Sequence, residues 1–116
     1  MELNDTAHGR VAMAFAQAIV GGDYTRAHQM LSKQLAERSS PSDLAAAYER
    51  MVAYGVGLAV AVRVMGTLRD WADRRDGDIG WAYVGIDGRG FSEAVAVVVA
   101  SQDAKPVIRE LEWGRP

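Results

Sequence analysis

Apolar positions along the chain change their spacing near its midpoint, and the change divides a helical half from a strand half. Val11, Phe15, Ala18 and Ile19 recur at the three- and four-residue spacing of one helix face. Asn4, Asp5 and Thr6 stand before them with side-chain oxygens suited to an N-cap, and Gly21-Gly22 follows as a left-handed stop. Asp23 can cap a second helix, whose apolar face runs through Tyr24, Ala27, Leu31 and Leu35. The stretch "RSSPSD" ends that helix and opens a third. Ser40 serves as cap, Pro41 takes the first helical position, and Asp43 lies three residues after the cap. Leu44, Tyr48, Met51 and Val52 form its buried stripe, and Gly55 closes it.

From "LAVAVRVMGTLRDW" onward the residue type changes to valine, whose branched Cβ suits a pleated surface. After the polar break "ADRRDGD" come "IGWAYVGI", "FSEAVAVVVA" and "PVIRELEW", separated by Asp87-Gly88-Arg89-Gly90 and Gln102-Asp103-Ala104-Lys105. Four strands joined by short connections predict an antiparallel meander. The expected fold class is therefore α+β, with three N-terminal helices packed on a curved four-stranded antiparallel sheet.

Composition narrows the function classes. The 116 residues suit one domain, 1–116, and 49% hydrophobic with 24% charged residues is a globular balance. A net charge of −2 offers no footprint for nucleic acid, since Arg74-Arg75 is interleaved with Asp70, Asp73, Asp76 and Asp78. Without cysteine there is no disulfide, thiolate or Cys–metal chemistry. The start "MELNDTAHGR" lacks the marks of a signal peptide, and "VGLAVAV" and "AVAVVVA" fall short of the ~20 residues that span a bilayer. A cytoplasmic protein with no membrane partner is expected.

The stretches "AFAQAIVGGDYTRAHQMLS", "DLAAAYERMV", "GWAYVGI", "FSEAVAVVV" and "VIRELEW" together resemble the nuclear transport factor 2-like (cystatin-like cone) superfamily. The resemblance covers nearly the whole chain and rests on apolar spacing plus Gly22-Asp23-Tyr24. It implies helices wrapped on a strongly curved sheet, a pocket between them, and a homodimer through the sheet. It also implies a choice among isomerases, dehydratases, hydrolases, transport factors, immunity proteins and non-catalytic modules, a choice that fold alone does not make. The chain departs from the pattern in leaving almost no room for a strand between the second and third helices, and in its small sheet.

Candidate chemistry is sparse. "GIDGRG" precedes a strand rather than a helix, so its glycines serve a hairpin and not a phosphate. "DRRDGDIG" lacks the alternating acids and terminal Glu of a calcium loop. His8 and His28 have no i+4 ligand partner, Ser92 lacks a nucleophile elbow, and no metal or cofactor is expected. The acids of the strands are the sharper candidates. Pairing Ile86 with Phe91 and Ala100 with Val107 sets Trp81 and Tyr83 over Ala96 and Ala94, with Leu111 and Trp113 on that face. The other face then holds Glu93, Glu110 and Glu112 beside Val84, Val95 and Val97. Carboxylates clustered there could supply a general base, or could meet Arg63, Arg69 or Arg109 in a dimer. A one-residue slip would exchange the faces. Tyr24, His28, Tyr48 and Tyr83 are the candidate pocket for a small apolar ligand, while Trp81 and Trp113 suit a core or an interface.

The expected function is a non-catalytic ligand-binding or protein-interaction module acting as a homodimer. The alternatives are an isomerase, dehydratase or hydrolase with a pocket carboxylate as base, and a partner-neutralising protein of immunity type.

Overall fold

The computed structural model describes residues 6–114; the Asn4 and Asp5 cap candidates lie outside them. Helix α1 spans Ala7–Val20 and is capped by Thr6, whose hydroxyl accepts from the Gly9 amide at 3.0 Å. The same hydroxyl-to-amide logic starts α4, Pro41–Val52. There Ser40 and Asp43 form a reciprocal capping box, each side chain accepting from the other's backbone N–H at 3.1 and 3.0 Å.

Between them the expected single helix is two, so among the described residues four helices precede the sheet rather than three. Helix α2 covers Tyr24–Gln29 and α3 covers Lys33–Arg38. The break has a tertiary cause. Leu31 makes a parallel bridge with Ile108, the Ser32 amide donates to the Ile108 carbonyl at 2.7 Å, and the Ile108 amide donates to the Met30 carbonyl at 2.9 Å. Ser32 then caps α3 by accepting from the Leu35 amide. The Met30 carbonyl and Ser32 amide thus bond a distant strand instead of continuing the helix, while the Met30 and Leu31 amides close the last turn of α2 on Ala27 and His28.

The sheet is the expected meander, β1 (Ala59–Leu68), β2 (Asp78–Gly88), β3 (Phe91–Gln102) and β4 (Lys105–Trp113), in that spatial order and antiparallel throughout. Segment 30–32 covers the outer edge of β4, while β1 pairs only with β2. The core lies between the helices and one sheet face. Phe15, Ile19 and Leu44 meet Val84, Ile86, Val95, Val97, Val99 and Ile108, all essentially sealed from water. Gly80 lets α1 close on β2, since a Cβ there would lie 2.3 Å from the His8 ring.

Two register details decide what stands on the other face. The β2–β3 turn is the two residues Arg89-Gly90, with Gly90 at φ +83°, so Gly88 rather than Ile86 opposes Phe91. That shift of two leaves the faces of β2 and β3 as expected but sets Tyr83 against Ala96 and Trp81 against Val98. On β4 the pairing Ala100↔Val107 holds, and then a bulge intervenes: Val99 opposes Ile108, yet Val98 opposes Glu110. Arg109 is the extra residue. Beyond it Leu111 and Trp113 turn toward the core, Trp113 tilted against Phe15 at 6.2 Å, and Glu110 and Glu112 turn outward. The expectation that Leu111 and Trp113 share the Trp81 face is therefore corrected, as is the placement of Glu110 and Glu112 beside the buried valines.

Candidate functional site

The outer sheet face carries the chain's concentration of aromatic and acidic side chains. Trp81 and Tyr83, two residues apart on β2, stack with ring centres 5.9 Å apart and planes 9° from parallel. They cover Ala94, Ala96 and Val98 of β3, which are buried although no helix packs on that side. Large rings over small neighbours are what makes this face partly dry.

At one end of the stack the face becomes a groove of about 130 Å³ lined by Trp71, Asp73, Trp81, Ala96, Val98, Glu110 and Glu112. Trp71 and Asp73 come from the β1–β2 loop and the rest from three adjacent strands. Asp78 fixes that loop. Its carboxylate takes a bidentate fork from Arg109, Nε to Oδ1 at 2.6 Å and Nη2 to Oδ2 at 2.7 Å, and accepts from the Arg75 amide at 2.8 Å. Its carbonyl accepts from Arg74 Nη2 at 3.2 Å. The Arg109 hydrogen bonds hold the Asp78 carboxyl below the usual carboxylate range, and Asp78 in turn raises the Arg109 guanidinium. The bulge and the clamp are one device, since the extra residue on β4 is the arginine that reaches across β3 to Asp78.

The other candidate residues fall in separate places. Tyr24 and Tyr48 come together where α2 meets α4, and burial raises the phenol of each; the neighbouring charge of Glu49 adds to the effect on Tyr24. His28 ties α2 to α3 through a 3.0 Å contact between Nε2 and the Ala36 carbonyl. Tyr83 is on the opposite side of the sheet, beside Arg63, Met65 and Asp87. The sheet thus separates Tyr83 from the two helix tyrosines. Glu110 and Glu112 share the groove, but Glu93 does not: it opposes Ile86, and Tyr54 donates to its Oε2 at 2.8 Å. Among the described residues no group of His, Asp and Glu is placed to hold a metal ion.

The segment "ADRRDGD", which the sequence pattern marks only as a polar break between strands, supplies Asp73 to the groove and Asp78 as its anchor. A signal for the bulge was present. In "VIRELEW" the apolar residues are Val107, Ile108, Leu111 and Trp113, and between Ile108 and Leu111 two charged residues stand where a strict alternation would have one.

No described helix is long and apolar enough to cross a membrane. Comparison with protein-family models, with curated proteins and with solved structures finds no match to this chain.

Proposed function

We propose that this chain is a non-catalytic binding module of nuclear transport factor 2-like type that works as a homodimer, two copies meeting at the β1 side of the sheet. Helices followed by an antiparallel meander support the kinship. The filled space between helices and sheet, where that superfamily's enzymes would need a pocket, supports the non-catalytic reading.

One observation carries the dimer. The exposed large hydrophobics among the described residues, Tyr54, Val56, Leu58, Val60, Met65 and Leu68, all belong to the open edge strand and the segment leading into it. Leu58 is 84% exposed and Val56 79%. Monomers scatter such residues, whereas a continuous run marks a contact surface. The run from Tyr54 to Leu68 contains one charged residue, Arg63, so a second copy meets little repulsion.

A ten-residue strand offers an edge of about 33 Å. Its bulges near Val60 and Met65 interrupt a continuous backbone ladder, so side chains carry the contact. With roughly 100 Å² available per side chain, these six leave on the order of 400 Å² bare per copy. Doubled and extended by flanking backbone, that reaches the ~1,000 Å² expected of a weak specific interface, so a concentration-dependent dimer is expected.

Sedimentation velocity over a micromolar concentration series tests this. The wild type should shift from monomer to dimer, and Val60→Glu/Leu68→Glu should stay monomeric with an unchanged circular dichroism spectrum. A wild type that remains monomeric at the highest concentration, or a double variant that dimerises equally well, refutes the proposal.

A further inference from the structure

We propose that the outer-face groove between Trp71 and Trp81 is a binding site for a methylated ammonium cation. The groove lies on the face rather than on the open edge, so the site does not depend on the dimer.

Size limits the ligand first. About 130 Å³ is well below the ~300 Å³ at which drug-sized pockets begin, and close to the ~150 Å³ of a cavity that accepts benzene. The space fits one compact head group. The lining chooses its chemistry. Tyr83 stacks with Trp81 and takes no part in the groove, which Trp81 borders from β2 and Trp71 from the loop. Indole π-surfaces attract cations through their quadrupole. Glu110, Glu112 and Asp73 add negative charge at the mouth.

The nearest cation of the chain does not cancel this field. Arg109 spends Nε and Nη2 on Asp78, and its remaining Nη1 lies 3.6 Å from Glu110. Arg74 is directed to the Asp78 carbonyl. The Arg109–Asp78 pair is neutral as a unit, and the positive charge of Arg74 offsets only one of the three acids lining the groove.

The floor separates methylated from unmethylated cations. Ala96 and Val98 are buried and apolar, and their side chains offer no acceptor. A primary ammonium or a guanidinium could turn some donors to the carboxylates, but those facing this floor would lose their water hydrogen bonds without replacement. N-methyl groups have none to lose, and they gain contact with the floor and the indoles. The carboxylates at the mouth act through charge, which requires no direct hydrogen bond.

The test is a titration of the full chain with tetramethylammonium chloride, followed by the indole N–H resonances in NMR. Trp113, on the core face, is the internal control. Saturable shifts of Trp71 and Trp81 in the millimolar range, with Trp113 unmoved, are expected. Ammonium chloride at equal ionic strength and neutral tert-butanol should bind at least tenfold more weakly. Glu110→Gln/Glu112→Gln, both exposed positions, should keep the fold and weaken binding at least fivefold. Trp81→Leu should abolish the Trp71 shift. Leu58→Glu/Val60→Glu, an edge variant at the end of β1 remote from Trp81, should be monomeric and bind like the wild type, which separates this site from the dimer. Shifts that never saturate, that all three additives produce alike, or that survive loss of both glutamates overturn the proposal.

Discussion

Arg109→Ala removes one side chain and leaves a charge stranded. The Asp78 side chain is 1% exposed and that of Arg109 15%, and their fork closes at 2.6 and 2.7 Å. Without the guanidinium, Asp78 keeps the Arg75 amide and loses both charged hydrogen bonds. Breaking a buried pair from one side costs about 3–5 kcal/mol, and the partial exposure of Arg109 favours the lower end, about 3 kcal/mol. For a domain of this size that is a fall in Tm of about 12 °C. Urea unfolding followed by far-ultraviolet circular dichroism measures the first figure, and thermal melting the second.

Asp78→Ala/Arg109→Ala strands no buried charge, so it should cost less than the sum of the two single changes by about 2 kcal/mol. The pair also fixes an acid limb. Asp78 has a lowered folded pKa, so its stabilisation is complete above the ordinary value of 3.8 and is lost as pH falls through the folded value. A cost below 1 kcal/mol for Arg109→Ala, with the cycle additive, would refute the view that this pair anchors the loop behind the groove.

Two further effects should be measurable. Ala104 sits at φ +63° in the β3–β4 turn, beside Asp103 at +53°, a region costly for any residue with a Cβ; Ala104→Gly should raise unfolding stability by about 1 kcal/mol in urea. His8 is buried with Nε2 unpartnered, and burial first, then the charge of Arg69, lowers its pKa from 6.5. Stability should therefore be full above pH 6.5 and decline as pH falls toward the folded value, a window separate from that of Asp78. His8→Leu should flatten that decline in a pH series of thermal melts, and an unchanged slope would place the effect elsewhere.

The helix boundaries at Thr6 and Ser40, the four strands and the two hairpin turns could be read from the residues because each depends on neighbours close in the chain. A cap needs a hydroxyl and an amide three residues apart, and a strand pair needs alternation and a turn. Readings failed where a distant group competed with a local preference. Residues 30–32 have helical spacing, yet Ile108, far along the chain, takes the Met30 carbonyl and the Ser32 amide. Glu110 and Glu112 belong with Trp81 only because Arg109 bulges out of β4, and one inserted residue reverses the face of all that follow. Local patterning settled the four strands and the capped helices α1 and α4, but not the division of α2 from α3. Tertiary pairing settled which side chains meet, because the side-chain period of a strand is two and one residue of slip exchanges core for surface. The groove, drawn from three strands and a clamped loop, belongs wholly to that second kind.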